Sequence, residues 1–172
     1  MKKKMSKKVL MSTIALLVLT MMIILPARAK TVETYESHIE MELIDPGIMW
    51  ISEEGIMHLK GSYWAGTEEV TVPDGLGTAI LIFEEWYNHL SLDPLTGEGT
   101  LSAKWRLTFP GRGTIEGSAR GKITGFILLS GTFVGTHGTG DFEGVKKKGS
   151  FEGMLTSETT AVADISGIIV WP

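Results

Sequence analysis

Glu85, Tyr87 and His89 recur at every second position after Leu81 and Phe83. On an extended strand all five side chains share one face. A carboxyl, a phenol and an imidazole would then stand at the end of an apolar strip, where they could fix the polar group of a ligand. A buried Glu85 would hold its proton to unusually high pH and could serve as a general acid or base, which makes it the candidate catalytic residue. The opposite face holds Ile80, Ile82, Glu84, Trp86 and Asn88 and is just as mixed. The same three polar residues also suit a solvent-facing rim, where polar strand ends are ordinary.

The other histidines carry less. His38 lies opposite Ile39 and Met41, and His58 lies opposite Met57 and Leu59, so both are expected on the solvent side. His137 sits in a glycine-rich turn. No histidine pair has zinc-ligand spacing and the chain has no cysteine, so neither a metal site nor a cofactor is expected. The Asp93–Gly99 loop does not follow the calcium-loop ligand order. No nucleophile elbow, phosphate-binding glycine loop or Ser-x-x-Lys motif occurs. Trp50, Tyr63, Trp64, Trp86 and Trp105 can serve as core, as pocket lining or as both. The expected ligand contacts are Trp50, Tyr63, Glu85, Tyr87, His89 and Trp105.

These side chains need strands to place them. Ile39, Met41 and Leu43 alternate with Glu40 and Glu42. Ile48–Ser52 and Ile56–Tyr63 flank Glu53-Glu54-Gly55, a hairpin turn. Thr78–His89 is rich in branched and aromatic residues. Leu101, Ala103, Trp105, Leu107 and Phe109 alternate with polar residues, and Ile115–Ile123 does so after Pro110-Gly111-Arg112-Gly113. Phe126–Val134, Ser150–Thr156 and Ala161–Trp171 complete the set. Strands at this even spacing, with no helical period, predict an all-β fold: a single antiparallel up-and-down barrel of about eight strands. A lipocalin-like barrel or a β-sandwich are the alternatives. The apolar end Ile168–Trp171 would be a hazard as an open edge, and pairing with the first strand, near Ile39–Leu43, would remove it. Gly61, Ala103, Gly117, Ala119 and Gly121 fall at inward positions, where small side chains either make room for a ligand or let a narrow barrel close around Tyr63 and Trp105.

The first 29 residues hold six basic and no acidic side chains, with an uncharged run from Val9 to Leu25 and then Pro26-Ala27-Arg28-Ala29. This is the pattern of a secretory signal peptide cleaved after Ala29. It places the domain of residues 30–172 outside the cytoplasmic membrane, and any membrane contact would come through an uncleaved segment. That domain holds 10 basic and 20 acidic side chains, which argues against a nucleic-acid partner. Residues 30–99 carry 14 of the acids and only two bases, with no linker after them. Lys146-Lys147-Lys148 reads as a solvated turn. Without cysteine, the domain must fold by its core alone.

Gly138-Thr139-Gly140-Asp141-Phe142-Glu143-Gly144 leads through the lysines into Gly149-Ser150-Phe151-Glu152-Gly153. This strand, tight turn and Gly-x-Phe-x-Gly strand, within residues 130–155, resembles the corresponding hairpin of the allene oxide cyclase and dirigent-like β-barrels. The resemblance implies a short turn or helix capping one barrel end with Phe142 tucked inside, and Phe151 returning to the wall. It carries over no catalytic residue. Three functions are expected in order: a barrel binding a small apolar or amphipathic molecule, an isomerase or cyclase like the allene oxide cyclases, and a structural protein acting through its acidic outer face. Nothing in the sequence sets the oligomeric state.

Overall fold

A computed structural model describes residues 30–72 and 77–172, the side chains of residues 72–88 excepted. The segment 1–29, read above as a signal peptide, lies outside the described residues. Ten strands follow in chain order: β1 (Val32–Asp45), β2 (Ile48–Ile51), β3 (Met57–Lys60), β4 (Tyr63–Val72), β5 (Gly77–Leu92), β6 (Gly99–Phe109), β7 (Gly113–Thr124), β8 (Leu128–Gly138), β9 (Lys146–Leu155) and β10 (Thr160–Val170). They form one antiparallel sheet in the order β2-β3-β5-β4-β1-β10-β9-β8-β7-β6, and β5 also pairs with β6. The sheet is curled, with a concave face that holds the core.

The all-β antiparallel expectation holds, but the simple barrel of about eight strands is corrected to a ten-stranded half-barrel with β2 as an edge among the described residues. No second sheet occurs among the described residues, so the fold is not a sandwich. The cause lies in the first hairpin. β1 and β2 run against β4 and β3 in one register, with Asp45 opposite Tyr63 and Ile48 opposite Lys60. Pro46-Gly47 and Gly61-Ser62 interrupt both strands at the same level. Gly61 has φ of +76°, a conformation open to glycine at little cost. Beyond this kink β3 stays on β5, while β2 has no outer neighbour among the described residues.

The last strand does lie against the first. The pairing runs from Glu42 opposite Thr160 to Val32 opposite Val170, so the apolar Ile168–Val170 end meets the beginning of β1 and not Ile39–Leu43. The strand β4 was not anticipated as a separate element. Its inward positions include Gly66 and Glu68, which break the apolar alternation.

One end of the curl is tightly filled. Tyr35, Leu107, Phe109, Ile115, Phe142, Val145 and Ile169 are all buried there. Phe142 belongs to a 3-10 turn, Gly140–Phe142, and its ring centroid lies 4.6 Å from Phe109 and 6.1 Å from Trp171. Thr139 fastens this turn to β7, accepting the Thr114 N–H through its hydroxyl at 3.0 Å. A side chain at Gly138 would run into the Phe142 carbonyl, which explains the glycine before the turn. Phe142 thus closes this end.

Candidate functional site

The opposite end stays open. Adjacent register pairs put Glu42, Thr160, Leu155, Leu128, Thr124, Gly99, Leu92 and Met57 at one level, which forms the rim. Below it is a hollow of about 190 Å³. Its upper wall is apolar, with Met41, Leu59, Leu90, Leu101, Ile123, Leu129 and Leu155. Deeper come Ile39, Ala103, Trp105, Ala119, Phe133, Phe151, Ala163 and Ile165. The volume exceeds the about 150 Å³ at which an engineered apolar protein cavity takes up benzene. Several large apolar side chains are exposed around and beyond the rim: Ile44, Ile48, Met49, Trp50, Ile51, Leu95, Phe126, Ile127, Leu128 and Met154.

Among the described lining residues, the charged pair lies deep inside. Glu68, on β4, and Lys147, on β9, are 2 % and 3 % exposed, and Lys147 Nζ donates to Glu68 Oε1 at 2.7 Å. The same Oε1 accepts the Ser37 hydroxyl at 2.7 Å and the Tyr35 hydroxyl. The ammonium also stands 3.7 Å from the centroid of the Tyr35 ring, 5.1 Å from Phe133 and 5.4 Å from Trp105. Such placement over ring faces partly offsets the lost hydration of a cation. Burial pushes the Glu68 carboxyl above its ordinary value, against the opposing pull of Lys147. Burial likewise brings the Lys147 ammonium down to about 8, against the pull of Glu68. Both shifts favour passing the proton from nitrogen to oxygen. The lysine triplet is therefore not a solvated turn: Lys146 and Lys148 are exposed, and Lys147 is inward.

Trp105 lines the hollow and is 5 % exposed. Its indole packs over Gly117 and Gly135, where any side chain would strike the ring. Ala103 and Ala119 line the hollow itself. The small residues of β6 and β7 thus do both things: glycine admits the indole and alanine leaves room. The Trp105 Nε1 hydrogen has no hydrogen-bond partner among the described residues, although the atom is buried.

His89 reaches the hollow near its rim. It stacks on His58 with centroids 5.6 Å apart, and His58 stacks on Trp50 at 5.1 Å. Trp50 is therefore the outer member of a three-ring stack, 42 % exposed, and does not line the hollow. His58 is half-buried within this stack, and it is Leu59, the next residue, that lines the hollow. Tyr63 is half-buried beside Asp45, and Trp64 takes the lining position instead. The kink at Gly61-Ser62 is the reason, since it shifts the inward phase from Leu59 to Ser62, Trp64 and Glu68. The side chains of Glu85 and Tyr87 lie outside the described residues, and the β5–β6 ladder changes register between Glu84 and His89.

Glu68 and Tyr35 were not singled out from the sequence, and Lys147 was read only as part of a solvated lysine triplet. One signal existed. Val145, Lys147, Gly149 and Phe151 alternate, as do Trp64, Gly66, Glu68 and Val70, so each strand carries one charge at an inward position and the charges are opposite. Neither a protein-family model nor a curated protein matches the chain.

Proposed function

We propose that this chain is a binding protein that admits a small apolar or amphipathic molecule through the rim and holds it in the hollow of the sheet. The observation that carries the reading is the wall itself: among the described residues it is mostly apolar from rim to Trp105, with Ser62, Ser102 and His89 its uncharged polar members, open at one end, closed by Phe142 at the other, with the buried Glu68–Lys147 pair at depth. Small-molecule sites are concave and mostly apolar, with a few placed polar groups, and this arrangement matches that description. The ligand's apolar body would lie against Ile39, Leu101, Ile123 and Phe133, and its polar end near Trp105, Glu68 and Lys147. We also place the domain outside the cytoplasm, as the basic and apolar start of the chain suggests.

Native mass spectrometry of the protein purified without detergent, compared with the same sample denatured, tests the reading. An excess mass in the native spectrum, lost on denaturation, is expected. Trp105→Ala should lower the occupied fraction while leaving the circular dichroism of the sheet in place. Equal native and denatured masses, together with no quenching of tryptophan fluorescence by small aromatic or aliphatic compounds, would sink it.

A further inference from the structure

Lys147 is placed as a surface lysine is not. It lies on the inward side of β9, lines the hollow, and has a carboxylate at 2.7 Å and the rings of Tyr35, Phe133 and Trp105 within 5.4 Å. Desolvation in an apolar pocket is one of the ways proteins make a lysine amine nucleophilic. The neighbouring Glu68 can hold the proton that the amine gives up, and the Tyr35 and Ser37 hydroxyls keep that carboxyl in place. The lowered ammonium affinity of Lys147, about 8, agrees with this geometry.

The second observation is independent. Trp105 lines the same hollow with a buried Nε1 hydrogen that has no partner among the described residues. A buried donor without an acceptor is costly, so a ligand that brings one gains affinity. A hydroxyl would serve the indole but offers the amine nothing to attack. A carboxylate would bring a second negative charge beside Glu68. A carbonyl group supplies an acceptor oxygen and an electrophilic carbon together.

We propose that the hollow takes a small apolar aldehyde or ketone, and that Lys147 forms an imine with its carbonyl carbon. This rests on the binding reading above. In the reaction the Lys147 ammonium passes a proton to the Glu68 carboxylate. The free amine attacks the carbonyl carbon, and a proton moves from nitrogen to the carbonyl oxygen, giving a carbinolamine. The Glu68 carboxyl then protonates the hydroxyl, which leaves as water as the C=N bond forms. The product iminium carries the charge the ammonium had, opposite the Glu68 carboxylate. Ammonium plus carbonyl compound gives iminium plus water, with no oxidant or reductant needed.

The test uses the full-length chain, benzaldehyde and cyanoborohydride near neutral pH, with the reduced adduct located by peptide mass spectrometry. Lys146 and Lys148 are exposed neighbours and serve as internal controls. Benzylation at Lys147 is expected to run on the order of tenfold faster than at either, because a desolvated amine is less protonated. Lys147→Arg, which keeps a cation opposite Glu68, should abolish the fast adduct. Benzyl alcohol, which has the same shape but no carbonyl carbon, separates this inference from the reading beneath it, through quenching of tryptophan fluorescence. If benzyl alcohol binds but Lys147 is labelled no faster than its neighbours, or the fast adduct persists in Lys147→Arg, the imine is overturned and the binding site stands. If benzyl alcohol does not bind and Lys147 is not labelled, both fall.

Discussion

Glu68 and Lys147 come from strands that are not hydrogen-bonded neighbours, yet their charged groups meet at 2.7 Å on the concave side of the sheet. Two strands, β1 and β10, lie between β4 and β9 in the sheet. Curling of the sheet is what brings the two side chains together. Tyr35 and Ser37 of β1 reach the same carboxyl oxygen, so three strands converge on one buried atom.

That convergence makes the two groups depend on each other under mutation. Glu68→Leu leaves an unpaired buried ammonium, and Lys147→Met leaves an unpaired buried carboxylate. Each is expected to cost about 3–5 kcal/mol. The double variant should cost well under the sum, since an apolar pair of similar volume removes both desolvation penalties. Urea unfolding of the four proteins checks this. Additive losses would mean that the two groups do not depend on each other.

The pair should also shape stability against pH. The Lys147 ammonium loses its proton near 8 when folded and near its ordinary 10.5 when unfolded. Between those values the unfolded chain holds a proton that the folded one has released, so Lys147 contributes stability that rises with pH across that window and is lost as pH falls through about 8. Glu68 has the opposite sign. Its folded pKa is raised above the ordinary 4.5, so its contribution is full below 4.5 and declines as pH rises from there. The Glu68→Leu/Lys147→Met variant should lack both slopes. Unfolding measured in urea between pH 8 and 10.5 should therefore show wild type gaining on the double variant as pH rises; a constant gap would contradict the assignment.

The sheet was legible where its physics is local. Leu101–Phe109 and Ile115–Ile123 alternate cleanly because each strand packs one face only, and both appear as β6 and β7. Phe142 was legible as an end plug because glycines frame it on both sides and allow a tight turn. What escaped was non-local or hung on a single dihedral. Pattern reading sends charges to solvent, so it drew Lys147 outward and overlooked β4. The partner that makes an inward lysine tolerable is 79 residues away. The exchange of Tyr63 for Trp64 at the hollow comes from the kink at Gly61, whose positive φ no alternation rule contains.

Gly117 sets where Trp105 can lie. A methyl group there would come within 1.9 Å of the Val134 carbonyl oxygen on β8 and within 2.4 Å of the indole ring. The first atom is backbone and cannot move aside alone. Gly117→Ala is expected to cost about 1–3 kcal/mol as an overpacked core site does. It should also change the tryptophan emission, because the ring must shift. A fully stable variant with unchanged fluorescence would show that the β7–β8 approach is looser than described.

Phe142 tests the closed end. It is fully buried against Phe109 and Trp171, with the Arg112 guanidinium 5.3 Å from its ring centroid. Phe142→Ala should cost about 3–5 kcal/mol, from lost burial and the cavity left in a region that cannot collapse. Phe142→Leu keeps most of the volume and should cost under about 1.5 kcal/mol. Neither change touches the hollow, so quenching of tryptophan fluorescence by benzyl alcohol should survive in the leucine variant. Urea unfolding gives the two costs. An alanine variant within about 1 kcal/mol of wild type would mean that this ring is not the plug, since a filled site of this size cannot be emptied so cheaply.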